Sequence, residues 1–112
     1  MQPQGHLQVF LNLLVWGMNP QQAVDAPRIS VGKPYDPRVP GVSVEEGVGD
    51  SGVTDGLVRK GHEITIVKGW YRAIFGRGQM IRCRLDEEDG NSKTRVWSAG
   101  SDMRGDGHAV GY

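Results

Sequence analysis

The chain has 112 residues, with 13 Lys+Arg against 13 Asp+Glu, so its formal charge is zero. That length holds one small domain with one core, and the even charge leaves no sustained basic block for a nucleic acid backbone. The longest apolar stretch, Val9-Phe10-Leu11 and then Leu13 to Trp16, is far short of the roughly 20 residues of a membrane span, so no span is expected. Cys83 is the single cysteine, which excludes an internal disulfide and leaves the redox compartment open.

The chain begins without a lead-in, with Gln2-Pro3-Gln4-Gly5-His6-Leu7-Gln8 running directly into a helical pattern. The expectation is a piece of something longer. Over residues 6–18 the apolar positions Leu7, Phe10, Leu11, Leu14 and Met18 recur at three-and-four spacing, and Val9, Leu13 and Trp16 widen the stripe. So broad a surface calls for cover from more than one side, and this helix is expected to pack against structure beyond the chain. Gly17 can take the left-handed turn that ends it.

Asn19-Pro20 then starts a second, short helix, with Asn19 as cap, Pro20 in the first turn and Gln22 at the capping-box position. Pro27 disfavours helical geometry at Ala26, so the chain leaves extended through Arg28-Ile29-Ser30-Val31. Pro34, Pro37 and Pro40 stiffen a surface loop before the brief strand Val42-Ser43-Val44-Glu45. Asp50 or Ser51 is expected to cap a helix running to Lys60, with Gly61 as its stop. The β-branched run His62-Glu63-Ile64-Thr65-Ile66-Val67 reads as a strand.

Residues 69–78 carry no period and read as irregular. From Met80 to Leu85 the chain alternates, with Ile81, Cys83 and Leu85 on one face and Met80, Arg82 and Arg84 on the other. An acidic turn over 86–92 leads to Lys93-Thr94-Arg95-Val96-Trp97-Ser98-Ala99, and the two runs predict an antiparallel hairpin. The tail, 100–112, is too rich in glycine to hold structure alone.

Candidate chemistry is sparse. Cys83 could pair with His6, His62 or His108 as thiol and base, but its place between Ile81 and Leu85 predicts a small apolar group packed in the core. Ser98, Ser101, Asp102 and His108 are the residue types of a hydrolytic triad, without the Gly-x-Ser-x-Gly elbow around either serine. Aligning the acidic run on Gly90 as a calcium loop puts Leu85 where the first carboxylate must stand. The histidines lie too far apart for a local metal pair, and no cofactor is expected. Gly76-Arg77-Gly78-Gln79 lacks the lysine and hydroxyl of a phosphate loop and reads as a glycine-hinged turn. Arg104-Gly105-Asp106 spells an adhesion tripeptide by chance.

Met1-Gln2-Pro3-Gln4-Gly5-His6-Leu7-Gln8-Val9, Leu11-Asn12, Gly17-Met18-Asn19-Pro20 and Asp25-Ala26-Pro27-Arg28 together resemble the carboxy-terminal part of gamma-glutamyltranspeptidases. The tail, Ala99-Gly100-Ser101-Asp102-Met103-Arg104 through Gly111-Tyr112, resembles the family's closing Ala-Ser-Asp-Pro-Arg stretch and its final aromatic. Met103 replaces the usual proline and Gly100 is an insertion. The resemblance covers nearly the whole chain, least informatively over 33–75.

The resemblance implies an α+β chain, the carboxy-terminal fragment of an N-terminal nucleophile hydrolase αββα sandwich, with residues 1–112 an incomplete part of the small subunit. It implies a parent enzyme that hydrolyses glutathione and other gamma-glutamyl amides, or transfers the acyl group to amines. In that chemistry a threonine freed by self-cleavage attacks the amide, its own amino group acts as base, and a Gly-Gly turn supplies oxyanion donors. Threonine, glutamate-binding side chains and Gly-Gly turn all precede the segment matching Met1. Thr54, Thr65 and Thr94 match no nucleophile position, so no catalytic, cofactor or metal residue is expected within the chain. Its expected partners are the large subunit, the amino-terminal part of the small subunit and glutathione as substrate. Two alternatives stand beside this reading: a stand-alone, non-catalytic module binding a partner through Leu7, Phe10, Leu14 and Met18, and a thiol enzyme using Cys83.

Overall fold

The computed structural model describes residues 1–49, 52–85 and 94–111. These form helices α1 (Gln2–Leu14), α2 (Pro20–Asp25), α3 (Glu46–Gly49) and α4 (Val53–Arg59), a 3₁₀ helix (Gly69–Phe75), and strands β1 (Ile29–Val31), β2 (Val42–Glu45), β3 (Ile64–Val67), β4 (Gln79–Leu85) and β5 (Arg95–Ser101).

Helix α1 starts earlier than its apolar period suggests, because Pro3 falls in the first turn, where a missing N–H is not needed. It stops at Leu14, and the chain reverses at Gly17, whose φ of 68° a side chain would resist. Met18 N–H closes that turn on Asn12 O at 3.0 Å. The capping box of α2 forms as expected: Asn19 Oδ1 accepts from Gln22 N–H at 2.8 Å, and Gln22 Oε1 accepts from Asn19 N–H at 3.0 Å.

Strands β1, β2 and β3 make one sheet in that order. β1 runs antiparallel to β2, with Ile29 opposite Val44, and β3 joins β2 in parallel, with Val42 opposite Ile64. The parallel pairing requires a crossover, which α3 and α4 provide. The cap of α4 is Gly52; Asp50 and Ser51, the expected caps, lie outside the described residues. β3 is shorter than expected because His62 N–H is taken by Leu57 O at the end of α4. The stretch expected to be irregular contains the 3₁₀ helix, whose Phe75 is fully buried. Its tight local turns leave no amphipathic period to read.

The hairpin is present as β4 and β5, paired from Gln79 opposite Ser101 to Leu85 opposite Arg95; the acidic turn joining them lies outside the described residues. Helix α2 crosses this ribbon at Gly100. A Cβ there would come within 2.6 Å of the backbone of Pro20 and Gln21, so only glycine permits the approach. Met80 is paired with Gly100 and therefore shares the helix-covered face. With Val9, Leu13, Met18, Ala23 and Val24 it builds the small core between α1, α2 and the ribbon.

One expectation, that Cys83 packs in the core, is corrected by this packing. Ile81, Cys83 and Leu85 do share one face, but it is the face turned away from α2, and Cys83 is exposed rather than in the core. On α1 the chain buries Gly5, Val9 and Leu13, the margin of the stripe, and leaves its centre, Leu7, Phe10 and Leu14, more than half exposed. Gly100→Val should therefore lower stability by about 1–3 kcal/mol through forced separation of α2 from β5, read as an earlier urea midpoint.

Candidate functional site

The most organised polar feature is a buried cluster of four charges brought together from distant stretches. Arg28 and Asp102, 74 positions apart, meet with Nη2 donating to Oδ2 at 2.6 Å. Arg104 grips Glu45 with two nitrogens, Nε donating to Oε1 at 2.7 Å and Nη2 to Oε2, while its Nη1 donates to Asp102 Oδ1 at 2.9 Å. Glu45 Oε2 also accepts from Arg28 N–H at 2.7 Å, and Arg28 O accepts from Glu45 N–H at 3.0 Å. Each of these side chains is at most 4% exposed. Two cations and two anions cancel, which is what permits such burial.

The remaining bonds go to the backbone and define what the cluster fastens. Arg28 Nη1 donates to Phe75 O and Gly76 O at the end of the 3₁₀ helix, and Nη2 to Val24 O in α2. Arg104 donates to Val24 O and Ala26 O. Asp102 accepts from Gly78 N–H at 2.8 Å and from Arg104 N–H at 2.9 Å. One clasp thus ties the end of α2, the start of β1, the end of β2, the 3₁₀ helix, the start of β4 and the tail. The tail is not left loose by its glycines; its first residues are held by charge.

Burial by itself would raise the Asp102 carboxyl, but the N–H groups of Arg104 and Gly78, the Arg104 side chain and the Arg28 charge outweigh it and hold the group below its ordinary 3.8. Burial would likewise lower Arg104, and hydrogen bonds and charge from Glu45 and Asp102 raise it instead. Neither group is poised to exchange a proton near neutrality, so this is an ionic fastening rather than an acid–base pair.

None of the other sequence candidates is assembled into a site. The sulfur of Cys83 lies 3.9 Å from Arg84 O, and no histidine hydrogen-bonds to it among the described residues. Asp102 is saturated by arginines and amides, Ser101 Oγ accepts from Gln79 Nε2, and His108 is exposed, so the triad types do not converge. Arg104, at 1% side-chain exposure, is unavailable as an adhesion ligand. Gly76 and Gly78 act as a turn whose backbone serves the clasp, not a phosphate. Thr54 lies in α4, Thr65 in β3 and Thr94 just ahead of β5. No group of three His, Cys, Asp or Glu able to hold a metal occurs among the described residues. No helix there is long and apolar enough to cross a membrane.

The clasp was missed from sequence because nothing local marks which of 26 charges pair. The available signal was different: Asp25-Ala26-Pro27-Arg28 and Ser101-Asp102-Met103-Arg104, two of the stretches that carried the family resemblance, are the ones that meet here.

A chain of helices and strands with its opening and closing motifs locked together in this way is one piece of an N-terminal nucleophile hydrolase fold. The sequence model of the gamma-glutamyltranspeptidase family matches residues 1–112, and the chain belongs to that family. The glutathione hydrolase-like YwrD proenzyme of Bacillus subtilis (strain 168) is 34% identical over 110 residues, covering 98% of this chain and 19% of its own length. A cephalosporin acylase from Bacillus halodurans superposes with a TM-score of 0.74 at 34% identity, over 98% of this chain and 18% of that one. A mutant gamma-glutamyltranspeptidase of Helicobacter pylori shares the fold at a TM-score of 0.70 and 23% identity, over 92% of this chain and 48% of that one. An acivicin-inhibited gamma-glutamyltranspeptidase, whose C-terminus has critical roles in autoprocessing and catalysis, matches at the same TM-score over 93% of this chain and 48% of that one. The chain therefore spans about a fifth of the first two relatives.

Removing one partner of the clasp strands the others. Arg104→Met leaves Glu45 and Asp102 short of a cation and should cost about 3–5 kcal/mol in chemical denaturation. Because Asp102 releases its proton more readily when folded, its stabilisation is complete above the unfolded value of 3.8 and is lost as pH falls through the lower folded value. Asp102→Asn should flatten that acid limb of the stability curve, measured by urea titration between neutral pH and pH 2.

Proposed function

We propose that the chain is the carboxy-terminal part of a gamma-glutamyltranspeptidase small subunit, a scaffold that braces a catalytic centre built by the rest of the enzyme. The parent would hydrolyse glutathione and other gamma-glutamyl amides and pass the acyl group to water or amines. The family match over the whole chain supports the class of reaction. The scaffold role is inferred from one observation: the buried charged side chains serve the clasp, while large apolar faces stay open.

Those open faces have the geometry of docking surfaces. Helices cover one side of the β4–β5 ribbon, and the other presents Ile81, Leu85 and Trp97, each more than 60% exposed. In a sandwich of two sheets between helices, that is the side a second sheet would cover. The centre of the α1 stripe, Leu7, Phe10 and Leu14, is a second such surface. A cavity of about 490 Å³ between α1 and the start of β4, lined by Val9, Leu13, Phe75 and Met80, is a third. Exposed apolar area on this scale is a liability for a free monomer and ordinary for one part of a larger core.

A nucleophile, its base and the oxyanion donors would all come from outside these residues. The purified chain should accordingly release no anilide from a gamma-glutamyl anilide above a blank. Turnover by the isolated polypeptide would overturn the scaffold reading. A stand-alone binding module draws on the same α1 face; a coding frame that continues upstream into a threonine-led segment and a Gly-Gly turn would decide against it.

A further inference from the structure

Strand β1 lies at one edge of the three-stranded sheet, and alternate residues of an edge strand turn their N–H and C=O groups away from the neighbouring strand. Ser30, opposite Ser43, faces β2, which leaves Ile29 and Val31 pointing outward. Their outward groups are not left to solvent. Gln8, on α1, accepts from Ile29 N–H at 2.8 Å through Oε1 and donates from Nε2 to Ile29 O at 2.9 Å. Gln4, one turn earlier, accepts from Val31 N–H at 2.7 Å. A donor and an acceptor offered to one residue, and an acceptor to the residue two along, reproduce the bonding pattern of a paired strand.

We propose that Gln4 and Gln8 are positioning residues that stand in for a neighbouring strand on the outer edge of β1, setting the register of α1 on the sheet and closing that edge to any other strand. The chemistry is selective. At neutral pH the glutamine amide offers a donor and an acceptor in one plane, which ionised glutamate and leucine do not, and asparagine is one methylene too short. The spacing is selective too, since side chains four apart on a helix lie one above the other. Gln8 Nε2 also donates to Gln4 O at 2.9 Å, which braces the pair. This role goes beyond the scaffold reading and needs no catalytic activity, so the two can fail separately.

Amide hydrogen exchange on the full 112-residue chain tests it. At concentrations where both are monomeric, Ile29 and Val31 should exchange at least about tenfold more slowly in the native chain than in Gln4→Leu/Gln8→Leu, and at higher concentration the double variant should self-associate through its opened edge, seen by light scattering. Gln8→Glu supplies a test on one molecule. At neutral pH its carboxylate can still accept from Ile29 N–H but sets its second oxygen against Ile29 O with no donor between them, so protection of the Ile29 amide should fall below that of the native chain at the same pH. Near pH 4 the protonated carboxyl regains a donor and an acceptor, and protection should return toward that of the native chain measured at the same pH. A purely space-filling role would show no such pH-dependent rescue. Equal exchange of Ile29 and Val31 in the native chain and the leucine variant, or an Ile29 amide in Gln8→Glu indifferent to pH, would overturn the proposal.

Discussion

Arg104 holds Glu45 with two nitrogens and Asp102 with a third contact, and Asp102 in turn holds Arg28; from these four charges most of the structure hangs. The hydrophobic core is small, centred on Val9, Leu13, Ala23 and Val24, and it joins α1 and α2 to the ribbon without reaching the three-stranded sheet. The clasp makes that connection. It works because its charges cancel and nearly every lone pair and N–H is used, the condition under which buried ions hold a structure together rather than weaken it. Arg28 Nε is the exception, enclosed without an acceptor among the described residues.

Gly100 and the clasp solve one geometric problem together. Helix α2 must lie close enough to β5 for its carbonyls at Val24 and Ala26 to meet the Arg104 guanidinium. At Gly100 the missing Cβ removes the clash with Pro20 and Gln21 that would prevent this. Gln21 adds a direct tie, accepting from Ser101 N–H and donating to Ser101 O. The same orientation of α2 decides which face of the ribbon is covered, and so leaves Cys83 outside.

Local signals were legible where the physics is local. The capping box at Asn19 and Gln22, the reversal at Gly17, the extended exit after Pro27 and the pairing of β4 with β5 depend on neighbours within a few residues, and each was readable. The 3₁₀ helix was not, because turns of three residues bury Phe75 without any periodic stripe. Which margin of the α1 stripe this chain itself covers was not readable, for a different reason. Periodicity measures how apolar a face is, and the widest apolar face, Leu7, Phe10 and Leu14, is the one these residues leave uncovered.

By itself the sequence determined the order of α1, α2 and the five strands, the reversal at Gly17, the hairpin and membership of the gamma-glutamyltranspeptidase family, since these follow from short-range sterics or from motif identity. Only tertiary structure decided that Arg28, Glu45, Asp102 and Arg104 are one unit, that Gly100 is a contact point and that two glutamines close the edge of β1. Pairing between residues 59 or 74 positions apart depends on how the backbone returns on itself, and an alternating or helical pattern carries no record of which face a distant segment will cover.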